Sequence, residues 1–432
     1  MNYRHKIRNI LRGKEGKTIL RNLFSLSIIQ GTNFLLPLLV LPYIIKVIGL
    51  EKFGLVAFAQ AFMSYFIIFI DYGFNLTATR EIALNKNDNP KLVSIVNTIL
   101  QTKIILCLLS FLVLLLIVFF FPYFSQHSSL YYCSFLLVVG QVLIPTWFFQ
   151  GIEQMKYLTY LNLVAKIIFT ILIFILITKP NDFVYIPVFY SLGNIVSGIA
   201  ALAIMHKKFN IHFSYNPDFR FLEELKKGWY VFLSNFSINA YTNSNLFILG
   251  LFASNIVLGY YSIADKILYA FRQILNIFFN ATYPQACQKA NINHLELRRF
   301  FKKYFYPFLI VIVLLCLILF LLAGPITVFL SGREVPEIIF AIHLLSFVPV
   351  ITCLNIPAFQ TLLAYNFQKS YMMVLATFSI LNVILNLLLA PAFLITGTAI
   401  SIILTEIFIT VGLYLVLTIK HKQQTIINPR IL

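Results

Sequence analysis

Charge is scarce in this sequence. Only 11% of its 432 residues are Asp, Glu, Lys or Arg, whereas a soluble domain carries about 25%. Its five cysteines (Cys107, Cys133, Cys287, Cys316, Cys353) are scattered without a CxxC spacing and mostly fall inside apolar runs. They read as small core residues, neither disulfides nor metal ligands. The seven histidines show no ligand spacing either. What is abundant is apolar surface, at 60% of the residues. That excludes soluble enzymes, secreted disulfide scaffolds and disordered chains. The apolar residues come in continuous runs of about 20, the length of a bilayer-crossing helix. Continuity rather than alternation excludes a β-barrel. The fold class is an all-α integral membrane protein.

Twelve spans are expected, near 22–45, 54–77, 98–121, 130–149, 158–178, 183–205, 229–252, 257–283, 304–330, 338–364, 371–390 and 392–418. The opening MNYRHKIRNILRGKEGKT is basic and lacks a signal-peptide cleavage pattern. It reads as a surface-lying helix that dips Ile7, Ile10 and Leu11 toward lipid. With the N-terminus placed inside, 26 of the 33 Lys and Arg fall on the inner side, counting Lys103 at the foot of the third span. Four (Lys46, Lys52, Lys179, Arg333) fall outside, and three lie within spans. The asymmetry puts both termini in the cytoplasm and accounts for the +18 net charge without nucleic acid.

The polar stretch 206–228 reads as a cytoplasmic linker between six spans at 22–205 and six at 229–418, with segments 1–21 and 419–432 as cytoplasmic ends. The halves echo each other. Phe53-Gly54-Leu55 leads to Ala59-Gln60, and Leu258-Gly259-Tyr260 leads to Ala264-Asp265, an offset of 205 residues. Repeats with six spans each are parallel and flank a central cavity, a transporter signature.

Ionisable groups inside a span are costly and point to function. On the eighth span, Asp265, Tyr269, Arg272, Asn276, Asn280 and Tyr283 fall within about 80° of helix arc, bordered by Lys266 and Gln273. The plainer alternative is an Asp265–Arg272 pair buried for packing. Span seven adds Asn235, Asn239 and Thr242, and span one adds Gln30 and Asn33 beside Pro37 and Pro42, which should kink it. Span two ends in Asp71-Tyr-Gly-Phe-Asn75, with Arg80 beyond; Lys166 lies in span five and Glu406 in span twelve. Snorkelling of Lys166 and a structural hydrogen-bonded role for Glu406 stay open. Cations in a low-dielectric cleft favour an anionic substrate, and a phosphate-bearing lipid headgroup fits.

Other motifs fail. Arg12-Gly-Lys-Glu-Gly16-Lys17-Thr18 lacks the first glycine of a phosphate-binding loop, because Leu11 stands there. External loops of at most about ten residues, nearly free of carboxylates, argue against an enzyme of glycosyl transfer.

Several stretches resemble Wzx-type O-antigen and capsule repeat-unit flippases, polysaccharide biosynthesis proteins of the multidrug/oligosaccharidyl-lipid/polysaccharide exporter superfamily. They are Gln30-Gly-Thr-Asn-Phe-Leu-Leu-Pro37, Asp71-Tyr-Gly-Phe-Asn75 with Thr77-Ala-Thr-Arg80-Glu-Ile-Ala83, and Trp147-Phe-Phe-Gln150-Gly151-Ile-Glu153-Gln-Met155. Asn382, Asn386, Pro391, Gly397, Ala399 and Thr405-Glu406 are similar to the family's last hairpin. The resemblance implies two six-helix bundles forming a V with a central cavity. It implies transfer of undecaprenyl-pyrophosphate-linked oligosaccharide from the cytoplasmic to the periplasmic leaflet of a bacterial inner membrane, with no cofactor beyond a coupling proton or sodium ion. A polymerase and a chain-length regulator would be partners. On this view Arg80, Lys166, Lys266 and Arg272 hold the pyrophosphate. Gln30, Asn33, Asn75, Asn235, Asn239, Thr242, Tyr269 and Asn276 line the path. Asp71, Asp265 and Glu406 couple an ion or balance charge. The competing reading is a cation-coupled multidrug or metabolite antiporter of the same superfamily, which would want an acidic cavity. A scaffold or scramblase would not need the polar stripe.

Overall fold

The structure, a computed structural model, describes residues 14–215, 219–365 and 367–420. The basic N-terminal stretch with Ile7, Ile10 and Leu11, and the tail beyond residue 420, lie outside the described residues. Among the described residues all regular structure is helical. The order is α1 (Lys14–Asp71), α2 (Phe74–Leu84), α3 (Asn89–Phe120), α4 (Ser128–Leu143), α5 (Thr146–Gly151), α6 (Met155–Leu176) and α7 (Tyr185–Phe209). Then follow α8 (Phe221–Phe252), α9 (Asn255–Ile292), α10 (His294–Leu321), α11 (Ala323–Ser331), α12 (Pro336–Leu345), α13 (Val348–Ala364) and α14 (Gln368–Lys420).

Eight stretches among the described residues are long and apolar enough to cross a membrane. Leu36–Leu84 and Gln368–Ile419, at 49 and 52 residues, are each long enough for two crossings. The helical backbone is interrupted within both stretches. In α1 the break falls at Gly49 (φ 79°, ψ 163°) rather than at Pro37 or Pro42, which sit inside continuous helix. In α14 it falls at Leu394 (φ 47°, ψ −121°), three residues after Pro391.

The chain forms two compact units, Leu36–Gly259 and the remainder, residues 14–35 with 260–420 among those described. The first unit is built on aromatic packing. Phe58 and Phe62 of α1 stack on Phe247 of α8 at 5.5 and 5.8 Å between ring centroids. Phe62 also meets Phe124 and Tyr131. Such ring pairs contribute about 0.5–1.5 kcal/mol each beyond the area they bury. The two echoing glycines meet here: a Cβ on Gly54 would stand 1.9 Å from the Asn255 carbonyl oxygen, and one on Gly259 2.2 Å from that of Leu50. The second part of α1 and the start of α9 therefore cross backbone on backbone.

In the second unit, α13 is fastened to α9 by Gln360. Its fully buried amide donates to the Phe279 carbonyl at 3.1 Å and to Thr282 Oγ1 at 2.9 Å. Phe278 stacks on Phe308 of α10, and Phe279 on Phe359 of α13. The two limbs of α14 are joined by buried polar pairs. Asn382 Nδ2 donates to Thr405 Oγ1 at 3.1 Å, and Thr398 Oγ1 to Asn386 Oδ1 at 3.0 Å. A membrane interior offers such groups no water, which explains why hairpin residues legible as a motif are polar and buried.

Candidate functional site

Among the described residues, each unit holds a cluster of charged side chains with a buried member. In the second unit the cluster forms around α9. Asp265 lies within Coulombic reach of Lys266 and Arg272. Arg272 Nη2 stands 3.7 Å from Glu406 Oε1 on α14, and Asn355 Nδ2 of α13 donates to Glu406 Oε2 at 3.4 Å. Glu406 is sealed, its side chain 1% exposed, while that of Arg272 is 16% exposed. On the same helix Tyr269, between Asp265 and Arg272, and Asn276 and Asn280 beyond them are exposed, and Asn276 Nδ2 meets Gln273 Oε1 at 3.4 Å. The stripe read from the sequence thus carries half-buried charged residues, with exposed polar residues between and beyond them.

In the first unit the cluster is Asp71, Lys103 and Gln141. Lys103 Nζ meets Asp71 Oδ1 at 3.0 Å and donates to the Gln141 carbonyl at 3.2 Å, while Gln141 Nε2 donates to Asp71 Oδ2 at 3.0 Å. Here the cation is sealed, at 1% exposure, and the carboxylate is 19% exposed. Lys103, counted among the inner-side charges from the sequence, is thus also one half of a buried ion pair. It lies 14 residues into α3, roughly 21 Å along the helix axis, and its charge answers Asp71. Asp71 closes α1, and the chain turns through Tyr72 (φ 39°) and Gly73 (φ 84°) into α2. The turn is pressed on α8, where Phe232 stacks on Tyr72 at 4.6 Å.

The motifs at 71–83 and 147–155 pack on each other. Trp147, Phe148 and Phe149 of α5 are buried, Thr79 Oγ1 of α2 donates to the Trp147 carbonyl at 3.2 Å, and Lys86 pairs with Glu153 at 3.6 Å. Arg80 is exposed; its neighbour Glu81 pairs with Lys227 of α8 at 3.7 Å. Asn75, Lys166 and Asn235 are half-buried. The side chains of Gln30, Asn33, Asn239 and Thr242 lie outside those described. Within its unit the structure brings Arg272, Asp265, Lys266 and Glu406 into one neighbourhood. The other expected pyrophosphate ligands, Arg80 and Lys166, belong to the first unit. Sequence reasoning missed Lys103, Gln141 and Asn355. A lysine 14 residues into an apolar helix is a usable signal; an uncharged amide in an apolar run gives none.

Comparison with known proteins defines the class. The fold matches the inward-facing conformation of a multidrug resistance MATE family transporter of the MOP superfamily, with a TM-score of 0.73 at 14% identity over 88% of this chain and 94% of that one. An outward-facing MATE structure matches at 0.62, with 15% identity over 95% and 97%. This is an all-α, multi-pass membrane protein with the MATE fold. Residues 19–290 match the family described as polysaccharide biosynthesis protein, and the chain belongs to that family. Its relatives are named as transporters, not enzymes. It is 30% identical over 391 residues, 90% of this chain and 94% of the other, to the "Putative O-antigen transporter" of Escherichia coli (strain K12). A Shigella dysenteriae protein of the same name is 30% identical over 270 residues, 61% of this chain and 66% of that one. The family resemblance carried by residues 71–83 and 147–155 is confirmed.

Proposed function

We propose that this protein is a flippase for O-antigen or related polysaccharide repeat units. It moves an undecaprenyl-pyrophosphate-linked oligosaccharide from the cytoplasmic to the periplasmic leaflet of a bacterial inner membrane by alternating access. The observation that carries the reading is the relationship to an O-antigen transporter across nine-tenths of the chain. The chemistry of α9 supports it. A partly exposed arginine, flanked in sequence by Lys266, suits a phosphoryl anion, because a guanidinium offers a planar fork of donors. Arg80 and Lys166 contribute further positive charge, and the amides and hydroxyls of α1, α8 and α9 solvate the sugars. The excess of Lys and Arg on one side supports cytoplasmic termini, with Lys103 counted or not. A proton or sodium ion couples the step. A polymerase and a chain-length regulator receive the product.

The test is depletion in the native host, with extraction of undecaprenyl-linked intermediates and assignment of their leaflet. Finished oligosaccharide units accumulate on the cytoplasmic face and surface polysaccharide is lost. Arg272→Ala fails to restore it at normal membrane abundance. Unchanged intermediates and a normal surface would reject the reading and favour the antiporter.

A further inference from the structure

Glu406 cannot reach solvent, and its ordering around Arg272 calls for a role. A carboxylate with 1% of its side chain exposed needs compensation, and Arg272 at 3.7 Å and the Asn355 amide at 3.4 Å contribute to it. The Arg272 separation is longer than a charge-assisted hydrogen bond, so attraction there is by charge rather than by a locked geometry. The pair is also lopsided: the anion is sealed, while the cation keeps 16% of its side chain exposed with Nη2 itself buried. With Asp265 and Lys266, both within the same Coulombic neighbourhood, the four charges of this cluster sum to zero. A neutral site gives an entering anion little net attraction until one carboxylate loosens its hold.

Resting on the reading that Arg272 holds the substrate's pyrophosphate, we infer that Glu406 is a displaceable counter-ion. It occupies Arg272 between cycles, yields it to the entering anion while Asn355 keeps the carboxylate in place, and reclaims it to expel the anion. Glu406 thereby trades affinity for turnover. The carboxylate is a built-in competitor of the substrate, and removing its charge strengthens binding while slowing release.

The experiment uses the full-length protein in lipid nanodiscs and farnesyl pyrophosphate as the probe, titrated calorimetrically. Glu406→Gln keeps the size and a hydrogen-bond acceptor for Asn355. It binds about 10- to 100-fold more tightly than the unaltered protein, and restores less surface polysaccharide in the depleted host. Glu406→Asp draws the charge back by one methylene, keeps it in the cluster, and falls between the two. It also serves if the glutamine variant does not fold. In an Arg272→Ala background the gain disappears, because the carboxylate has no cation to compete for. Binding that falls with Arg272→Ala but is unchanged by Glu406→Gln and Glu406→Asp overturns the counter-ion role and leaves the pyrophosphate site standing. Binding insensitive to Arg272 removes both.

Discussion

Lys103 is the residue whose removal should reveal most about the first unit. Its ammonium is sealed and answers Asp71 at 3.0 Å, so Lys103→Met leaves a carboxylate held by Gln141 alone. Breaking one side of a buried pair costs about 3–5 kcal/mol. Asp71 keeps 19% of its side chain exposed, so the lower end applies, about 3 kcal/mol. Asp71→Asn strands the more deeply buried partner and costs at least as much. The double variant, Asp71→Asn with Lys103→Met, removes both charges and costs about 1 kcal/mol, because an uncharged replacement of a buried pair is often close to neutral. The double variant then costs about 5 kcal/mol less than the sum of the two singles. Both tryptophans of the chain, Trp147 and Trp229, belong to this unit. Their fluorescence during SDS titration in mixed micelles therefore follows its unfolding. A Lys103→Met protein as stable as the unaltered one, or single costs that simply add in the double variant, would refute the argument.

Gly54→Ala should prevent the crossing of α1 and α9, since its Cβ would meet the Asn255 carbonyl oxygen at 1.9 Å. Fluorescence-detected size exclusion should show loss of the monodisperse protein, because the obstacle is backbone and cannot rotate away. Gln360→Ala removes both donors that fasten α13 to α9 and should cost about 1–3 kcal/mol. A thiol-reactive dye reports it, since the buried Cys316 and Cys353 become reactive at a lower temperature. Asp88 caps α3 by accepting from the Lys91 backbone and pairs with its ammonium at 3.1 Å. Those bonds hold its carboxyl below the usual range. The folded value is the lower one, so the cap's contribution is present above the unfolded carboxylate value and is lost as pH falls through the folded value. Amide exchange at Lys91 and Leu92 should quicken across that acidic window, and the Asp88→Asn protein should show no such step.

The helical, membrane-spanning character was legible because it is written in composition and run length, which no packing detail alters. The glycine echo at 54 and 259 was legible as a repeat but not as a contact. Periodicity says which residues correspond, while only the fold says that they touch. Pro37 and Pro42 misled for a related reason. Proline removes one donor and kinks a helix when the surroundings permit it, yet the break went to Gly49, whose positive φ other residues rarely adopt. Arg272 stood out because a charge in an apolar run is costly wherever it points. Its partner could not be read, since Glu406 lies 134 positions further along and meets it through tertiary packing alone.

The two charged clusters are built in opposite senses, and that difference assigns their work. Both contain a pair drawn from different helices, with a side-chain amide bonded to the carboxylate: Gln141 to Asp71, Asn355 to Glu406. In the first unit the lysine is sealed and the carboxylate is the more accessible partner; in the second the carboxylate is sealed and the arginine is the more accessible. An anion approaching the first cluster meets Asp71 and is repelled, and Lys103 cannot turn out to meet it without abandoning a buried partner. An anion approaching the second meets a guanidinium. Formal charge is zero in both pairs, so net charge alone would treat them alike. Burial order separates them: Asp71–Lys103 fixes the end of α1 at its turn into α2, and under the proposed function Arg272 is the group that would exchange one anion for another.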